Sequence, residues 1–93
     1  MENNRLILID ELCGIYELEF IFFESLRDAD LIEIIVIEEK RHIHEDHIAK
    51  IEQIIRLHRE LDVNIAGIDI ILNLLQKVNT LSEELQELKN KLS

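Results

Sequence analysis

A chain of 93 residues is long enough for one domain with its own core, and 47% apolar beside 32% charged residues is typical of a folded protein. Twenty acidic residues stand against ten Lys and Arg, so the formal net charge is -10. This charge repels phosphate backbones unless the cations cluster, which makes nucleic acid the less favoured class of partner.

The single cysteine, Cys13, excludes an internal disulfide and lies in an apolar stretch where a thiol is typically a small buried hydrophobe. The first five residues, MENNR, lack a basic region followed by a long apolar run, and Asp69 interrupts the longest later apolar stretch. We therefore predict neither export nor membrane spanning, and we expect a soluble cytoplasmic protein.

The first 28 residues predict two short helices. Residues 6–9 are a short apolar stretch, after which Asp10 is expected to cap a brief helix that runs through Cys13 and ends at Gly14. Apolar residues at helical spacing predict a second helix over about residues 17–28. Two short helices across a glycine turn are typical of a helix-turn-helix.

A β-hairpin, or wing, is predicted next. β-branched residues are dense in residues 32–37, residues 38–40 (EEK) form a polar turn, and residues 41–43 can return as the second strand. No Pro and only two Gly occur in the chain, so the elements are expected to be joined by tight turns without a flexible linker.

Two longer helices are predicted to complete the chain. Negative charge at Glu45 and Asp46 marks the start of a third helix that runs to about Leu61. Residues 62–64 (DVN) offer a break and a new cap, and a fourth helix follows over residues 65–92, interrupted at most near Asn79 and Thr80.

The predicted fold class is therefore mainly α: a winged helix-turn-helix with a small β-hairpin wing and a long C-terminal dimerisation helix. Residues 1–62 form the winged helix-turn-helix body with the third helix, and residues 63–93 form the C-terminal, coiled-coil-like helix. The two parts are expected to make a single structural unit.

Apolar residues in the fourth helix recur in alternating steps of three and four, the spacing of an a/d seam. Beyond Thr80 the other residues are nearly all polar, so these leucines have little intrachain core to cover them. We predict a homodimer, although a helix folded back on its own domain has the same periodicity. The predicted dimer interface comprises Ile71, Leu74, Val78, Leu81, Leu85, Leu88 and Leu92.

Three histidines, His42, His44 and His47, lie within six residues with two carboxylates between them, so a zinc or nickel site is chemically conceivable. The spacing matches no standard zinc motif. His42 and His44 would share a strand face, but His47 need not point at them, and three exposed histidines explain the sequence equally well. We therefore predict no metal site and no cofactor.

No motif of an enzyme is present. A glycine-rich phosphate loop, a nucleophile elbow and a dinucleotide fingerprint are all missing, and two glycines could not build one. Adjacent carboxylate pairs such as Glu38-Glu39 and Glu83-Glu84 are explained by solvated turns and helix faces. Cys13 is expected to be buried with a raised pKa, which does not suit a nucleophile. We predict a non-enzymatic protein.

The second helix has the wrong charge for reading DNA. In a DNA-binding helix-turn-helix this helix enters the major groove and usually carries Arg, Lys, Asn or Gln. Here its segment holds Glu17, Glu19, Glu24 and Asp28 against Arg27 alone. Lys40 and Arg41 in the wing could still touch phosphates, so DNA binding is weakened as a hypothesis without being abolished.

Several stretches resemble the chaperone modulator CbpM family, a divergent MerR-like winged helix-turn-helix group. The resemblance runs from about Leu6 to Leu92 and is most specific in RLHREL at residues 56–61. It continues through Asn64, the AGI run at residues 66–68 and the leucine-rich end. The EDH run at residues 45–47 and the IDELC run at residues 9–13 are similar to the family as well.

The resemblance implies a dimeric adaptor that binds the J-domain of a DnaJ-like co-chaperone of the CbpA type and inhibits its activity. J-domains of this kind carry a basic helix, which an acidic surface would attract. General solubility explains the same acidity. The leading hypothesis is thus a chaperone modulator, and the alternatives are a MerR-type DNA-binding transcription regulator and a metal- or ligand-binding sensor. The predicted partner-binding residues are Glu17, Glu24, Asp28, Glu45, Asp46 and Glu52.

Overall fold

The computed structural model describes residues 5–93, which form four helices and three short strands. Residues 1–4 belong to the predicted body and to the MENNR sequence in which no export signal was predicted, and they lie outside the described residues. The mainly α prediction, with a small wing and a long C-terminal helix, is confirmed. The elements are β1 (Leu6–Leu8), α1 (Ile9–Tyr16), α2 (Phe20–Asp28), β2 (Ile35–Ile37), β3 (Lys40–His44), a 3₁₀ turn (Glu45–His47), α3 (Ile48–Glu60) and α4 (Ile65–Leu92).

The strands form an antiparallel sheet in the order β1-β3-β2. The predicted hairpin is present, but its first strand begins at Ile35 because Leu31 and Ile32 turn into the core instead of entering the sheet. The apolar stretch at the N-terminus forms a third strand, in which Ile7 lies opposite Ile43. This pairing was not predicted, since three residues are too few to show a strand period.

The helices cover one face of this sheet. Ile43 in the central strand is fully buried, and its neighbours in the core come from all four helices. Because successive side chains of a strand point to opposite faces, the burial of Ile43 identifies the helix side of the sheet. The buried cluster consists of Ile9, Leu12, Phe23, Leu26, Leu31, Ile32, Ile43, Ile51, Ile54, Ile55 and Ile68.

The predicted start and end of α1 were both wrong. Asp10 does not cap the helix: Leu8 occupies the N-cap position without a side-chain hydrogen bond, and Asp10 lies in the first turn. The helix continues through Gly14 to Tyr16, since Gly14 has an ordinary helical backbone that any residue tolerates. The left-handed residue that ends the helix is Glu17, with a φ of 54°.

A distant side chain stabilises this unusual helix end. The guanidinium of Arg59, on α3, donates hydrogen bonds to the backbone carbonyls of Tyr16 and Glu17. These carbonyls lack partners within the helix, and a cation next to them also interacts favourably with the helix dipole. The contact satisfies two carbonyls at the end of the helix, and it could not be read from local sequence.

The turn of the helix-turn-helix therefore lies at residues 17–19, and α2 begins at Phe20, three residues later than predicted. Leu18, which the prediction placed inside the helix, packs against the core from the turn. The predicted break between the last two helices is confirmed: Asn64 caps α4 by accepting a hydrogen bond from the Gly67 N–H at 2.8 Å. No interruption occurs near residues 79–80.

Candidate interaction surfaces

Only the first two turns of α4 pack against the body. Ile68 is buried, and Ile65 and Leu72 pack beside it against the core. From Asn73 onward every residue of the helix is exposed. At about 1.5 Å per residue, the exposed part extends roughly 30 Å.

The predicted dimer seam lies mostly on this projecting part. Ile71 is half-buried, whereas the other six residues are between 53% and 79% exposed. Successive exposed residues alternate in steps of three and four, so they share one stripe of the helix. The fold does not bury the stripe, so the helix is not folded back over it. The six exposed residues are Leu74, Val78, Leu81, Leu85, Leu88 and Leu92.

Polar and charged residues border the stripe toward the C-terminus, whereas Ile70 and Leu75 border it near the body. These two residues are 60% and 41% exposed. The apolar surface is therefore widest at the base of the projecting segment. An exposed apolar surface of this length is unusual on a monomer and is typical of an interaction site.

The outward side of α2 is the second candidate surface. Ile21 is 64% exposed, and Glu24 and Asp28 follow it at the three- and four-residue steps that share one helix face. Glu17 lies exposed in the preceding turn. An apolar residue among carboxylates occupies the position where a DNA-reading helix would present polar or basic side chains.

Two arginines near α2 are engaged within the fold. Arg27 lies 3.8 Å from the carboxylate of Glu24 and 3.3 Å from that of Asp28. The Arg41 guanidinium sits over the Phe20 ring at 4.1 Å from its centroid, a cation–π contact between wing and helix. These arginines are consequently less available to a phosphate backbone than the sequence suggested.

The tip of the wing is also acidic. Glu38 and Glu39 form a two-residue connection between the paired residues Ile37 and Lys40, and both have positive φ, 50° and 65°. This is the conformation of a type I′ hairpin turn, for which Asn-Gly is the favoured sequence. The tip of the wing therefore carries two carboxylates.

The remaining predicted partner-binding residues lie elsewhere on the body. Glu45 and Asp46 form the 3₁₀ turn after β3, where Glu45 pairs with Arg5 at 3.7 Å. Glu52 is exposed on α3 and interacts with Tyr16 of α1. The six predicted residues therefore lie on three different parts of the body. Two of them, Glu24 and Asp28, share a face of α2 with the exposed Ile21, and Glu17 precedes that helix.

The three histidines of the sensor hypothesis have separate surroundings. His44 Nδ1 accepts a hydrogen bond from the Asp46 N–H at 3.1 Å, and its ring lies 6.4 Å from that of His47. His42 and His44 share a strand face, as predicted. Within residues 5–93 no group of three or more His, Cys, Asp or Glu side chains converges on a point where a metal ion could bind.

Two acidic groups of α1 have shifted pKa values. Burial, with a smaller contribution from Asp10, raises the pKa of the Cys13 thiol above its ordinary value. Burial, followed by the neighbouring Glu52 carboxylate, raises the pKa of Tyr16. Cys13 is half-buried, less than predicted, and packs against the core; the shift opposes formation of a reactive thiolate.

No helix within residues 5–93 combines the length and apolar character that crossing a membrane requires. No curated protein and no solved structure matches the chain. The family model described as MerR HTH family regulatory protein matches residues 7–90, which span both short helices, the wing and nearly all of α4. With its helix-turn-helix, wing and long C-terminal helix, the chain belongs to the MerR HTH family of regulatory proteins.

Proposed function

We propose that this MerR-like protein is a non-enzymatic chaperone modulator that binds the J-domain of a DnaJ-like co-chaperone of the CbpA type and inhibits it. The observation that carries the proposal is the outward face of α2. There Ile21 is exposed among Glu17, Glu24 and Asp28. This arrangement suits a basic, partly apolar protein helix better than it suits DNA.

The pairing of the nearby cations supports a protein partner. A protein that binds DNA gains affinity by neutralising phosphates with Lys and Arg. On this side of the body Arg27 already lies beside two carboxylates, and Arg41 lies over Phe20. The acidic wing tip adds negative charge at a position from which a DNA-binding wing approaches the backbone.

The partner's identity comes from the resemblance to the CbpM family, in which a J-domain with a basic helix is the target. An acidic face accelerates encounter with such a helix, and the attraction weakens as salt rises. We therefore expect saturable binding of a J-domain at low salt and weaker binding at moderate salt.

Calorimetric titration with a DnaJ-like J-domain from the same source tests the proposal. The double variant Glu24→Lys plus Asp28→Lys should weaken binding by at least tenfold, because it reverses the charge around Ile21. The matched control is Glu83→Lys plus Glu87→Lys, which makes the same change in net charge on the exposed end of α4.

The two variants separate a local effect from a general one. Equal weakening of J-domain binding in both variants would mean that the net charge of the protein governs the affinity and that α2 is not the contact surface. No binding of the unmodified protein at low salt would overturn the chaperone-modulator proposal.

We further propose that α4 forms a homodimer through its seam. The a positions, Ile71, Val78, Leu85 and Leu92, alternate with d positions that are all leucine. Between 53% and 79% of each seam residue beyond Ile71 is exposed in the single chain, so association would remove a continuous apolar stripe from water. Light-scattering mass measurement in solution tests this proposal.

A MerR-type transcription regulator is the second candidate, and the family match across both the helix-turn-helix and the wing favours it. A dimer would present two such units to an operator, and Lys40 of each wing is exposed. Promoter DNA titrated at increasing salt distinguishes this candidate. Specific binding with a steep salt dependence would favour the regulator over the modulator.

A further inference from the structure

Two connections of the body pass through left-handed residues that are not glycine. Glu17, between α1 and α2, has a φ of 54°, and Asp62, between α3 and α4, has a φ of 53°. For a residue with a Cβ, this conformation is disfavoured by about tenfold relative to the right-handed one. Such conformations persist where the surrounding structure holds them, so each connection needs contacts that keep it in place.

Consecutive side chains at the end of α3 supply contacts to both connections. The Arg59 guanidinium donates hydrogen bonds to the carbonyls of Tyr16 and Glu17, the second at 3.1 Å. His58 Nδ1 lies 3.1 Å from the carbonyl oxygen of Val63, in the connection to α4. Because a carbonyl oxygen only accepts, Nδ1 carries the proton of this hydrogen bond. One turn of α3 therefore reaches both left-handed connections.

The residue before this pair also binds the connection to α4. The Leu57 carbonyl accepts hydrogen bonds from the N–H groups of Leu61 and Val63, at 3.2 Å and 3.3 Å. The Leu57 side chain packs against the core. Residues 57–59, the LHR of the RLHREL stretch, thus join the core, the connection to α4 and the turn before α2.

The other left-handed residues lack this kind of support. Asp30 follows α2, and Glu38 and Glu39 form the tip of the wing. Within residues 5–93 no side chain donates a hydrogen bond to the carbonyl of any of these three residues. Support from a distant side chain is therefore specific to the two connections that meet the end of α3.

The same two connections lead into the two candidate surfaces. The turn at residues 17–19 runs directly into α2, whose second residue is Ile21, and residues 61–64 run into α4. The centroids of the His58 and Phe22 rings are 5.2 Å apart, so α3 also contacts the residue next to Ile21. A change of φ at either connection would alter the direction of the helix that follows it.

We propose that His58 and Arg59 are positioning residues. Arg59 holds the turn that places the face of α2, and His58 holds the connection that directs α4 away from the body. Neither acts by touching a partner. The effect on J-domain affinity rests on the proposed function, whereas the effect on backbone geometry does not.

Backbone ¹³C chemical shifts, which report φ, test the geometry in the labelled protein. Arg59→Ala should move the shifts of residues 16–18 toward right-handed values and leave residues 61–64 unchanged, and His58→Leu should do the reverse. Amide residual dipolar couplings should show α2 reoriented relative to the sheet in the first variant and α4 in the second. Arg56→Ala, which removes an exposed arginine from the same helix, is the matched control and should change neither region.

Glycine substitutions test the cause, because glycine adopts positive φ without support. Glu17→Gly should restore the parent geometry in Arg59→Ala and not in His58→Leu, and Asp62→Gly should do the opposite. Asp30→Gly, at a left-handed residue without such support, should restore neither. Where Arg59→Ala alone unfolds, Glu17→Gly should recover the folded spectrum and Asp30→Gly should not.

Partner affinity is the second readout. Arg59→Ala should weaken J-domain binding about tenfold, because only a minority of molecules would then present α2 in the parent orientation. Arg56→Ala makes the same change in net charge and should leave the affinity unchanged. Parent affinity in Arg59→Ala would overturn its role in placing the partner surface.

The backbone result decides the proposal independently of the partner. Unchanged chemical shifts and couplings in Arg59→Ala and His58→Leu would overturn it, as would equal restoration by all three glycine substitutions. Absence of J-domain binding by the unmodified protein would overturn the chaperone-modulator proposal alone.

Discussion

The guanidinium of Arg41 lies 4.1 Å from the centroid of the Phe20 ring and so joins the wing to the first residue of α2. The contact links two parts of the body that are close in space and 21 residues apart in sequence. It fixes the angle between the helix that carries Ile21 and the hairpin that carries the acidic tip.

Removing this contact should destabilise the body modestly. Arg41→Ala should lower the free energy of unfolding by about 1 kcal/mol, the range of a partly exposed cation–π pair. Urea denaturation measures the change, and Lys40→Ala, which removes the neighbouring exposed cation of β3, is the matched control. In a double-mutant cycle with Phe20→Leu the two losses should be less than additive. Simple additivity would show that the ring and the guanidinium act independently.

Charges introduced into the seam should dissociate the proposed dimer. Leu85→Asp plus Leu88→Asp would require two carboxylates to be desolvated between helices, so we expect a monomer by light scattering. Asn79→Asp plus Gln86→Asp adds the same charge outside the seam and should leave the dimer intact. An unchanged mass in the leucine variant would place the interface elsewhere.

The wing tip should tolerate a more favourable turn. Glu38→Asn plus Glu39→Gly replaces two residues strained at positive φ with the preferred type I′ sequence, so stability should rise by about 1–2 kcal/mol. Thermal unfolding measures the change. Glu38→Gln plus Glu39→Gln removes the charges and leaves the strain, and it should stay near the parent value. A rise of equal size in both variants would attribute the gain to charge.

The two glycines should respond oppositely to alanine. A Cβ at Gly14 would meet nothing within 4 Å, so Gly14→Ala should stabilise α1 by about 0.5–1 kcal/mol. At Gly67 a Cβ would come within 2.8 Å of Val63 Cγ1 and 3.2 Å of Asn64 Oδ1. Gly67→Ala should therefore disturb the cap of α4 and destabilise the protein. Chemical denaturation of both variants checks the pair, and a loss at Gly14 would contradict the open space around it.

Local signals were sufficient for the elements with strong periodicity. The helix α4 and its cap at Asn64 are where the sequence predicted them, because spacing and capping residues act over a few positions. The hairpin is present as well, although its first strand is shorter than predicted. The features that were predicted wrongly, or not at all, depend on contacts between residues distant in sequence. Arg59 donates hydrogen bonds to the carbonyls at the end of α1, which contains no glycine at that point. The pairing of Ile7 with Ile43 makes a strand of a short apolar stretch.

The same distinction holds for the candidate surfaces. Sequence predicted that α2 is acidic, but it did not show that Ile21 would be exposed at the centre of that acidity. The face of the sheet opposite the buried Ile43 was missed altogether. Its residues come from three strands, and only the register reveals that Leu8 and Ile35 lie on either side of His42.

Because only its first two turns pack against the body, α4 has two parts of different local stability. Its first two turns, around Ile68, melt with the body, whereas the exposed segment is kept helical by hydrogen bonds within the helix itself, including one from Gln86 to Asn90. Most helical stability in proteins comes from packing of an amphipathic face, which this segment lacks in the single chain. In the proposed dimer its helicity would therefore rise with protein concentration through mass action.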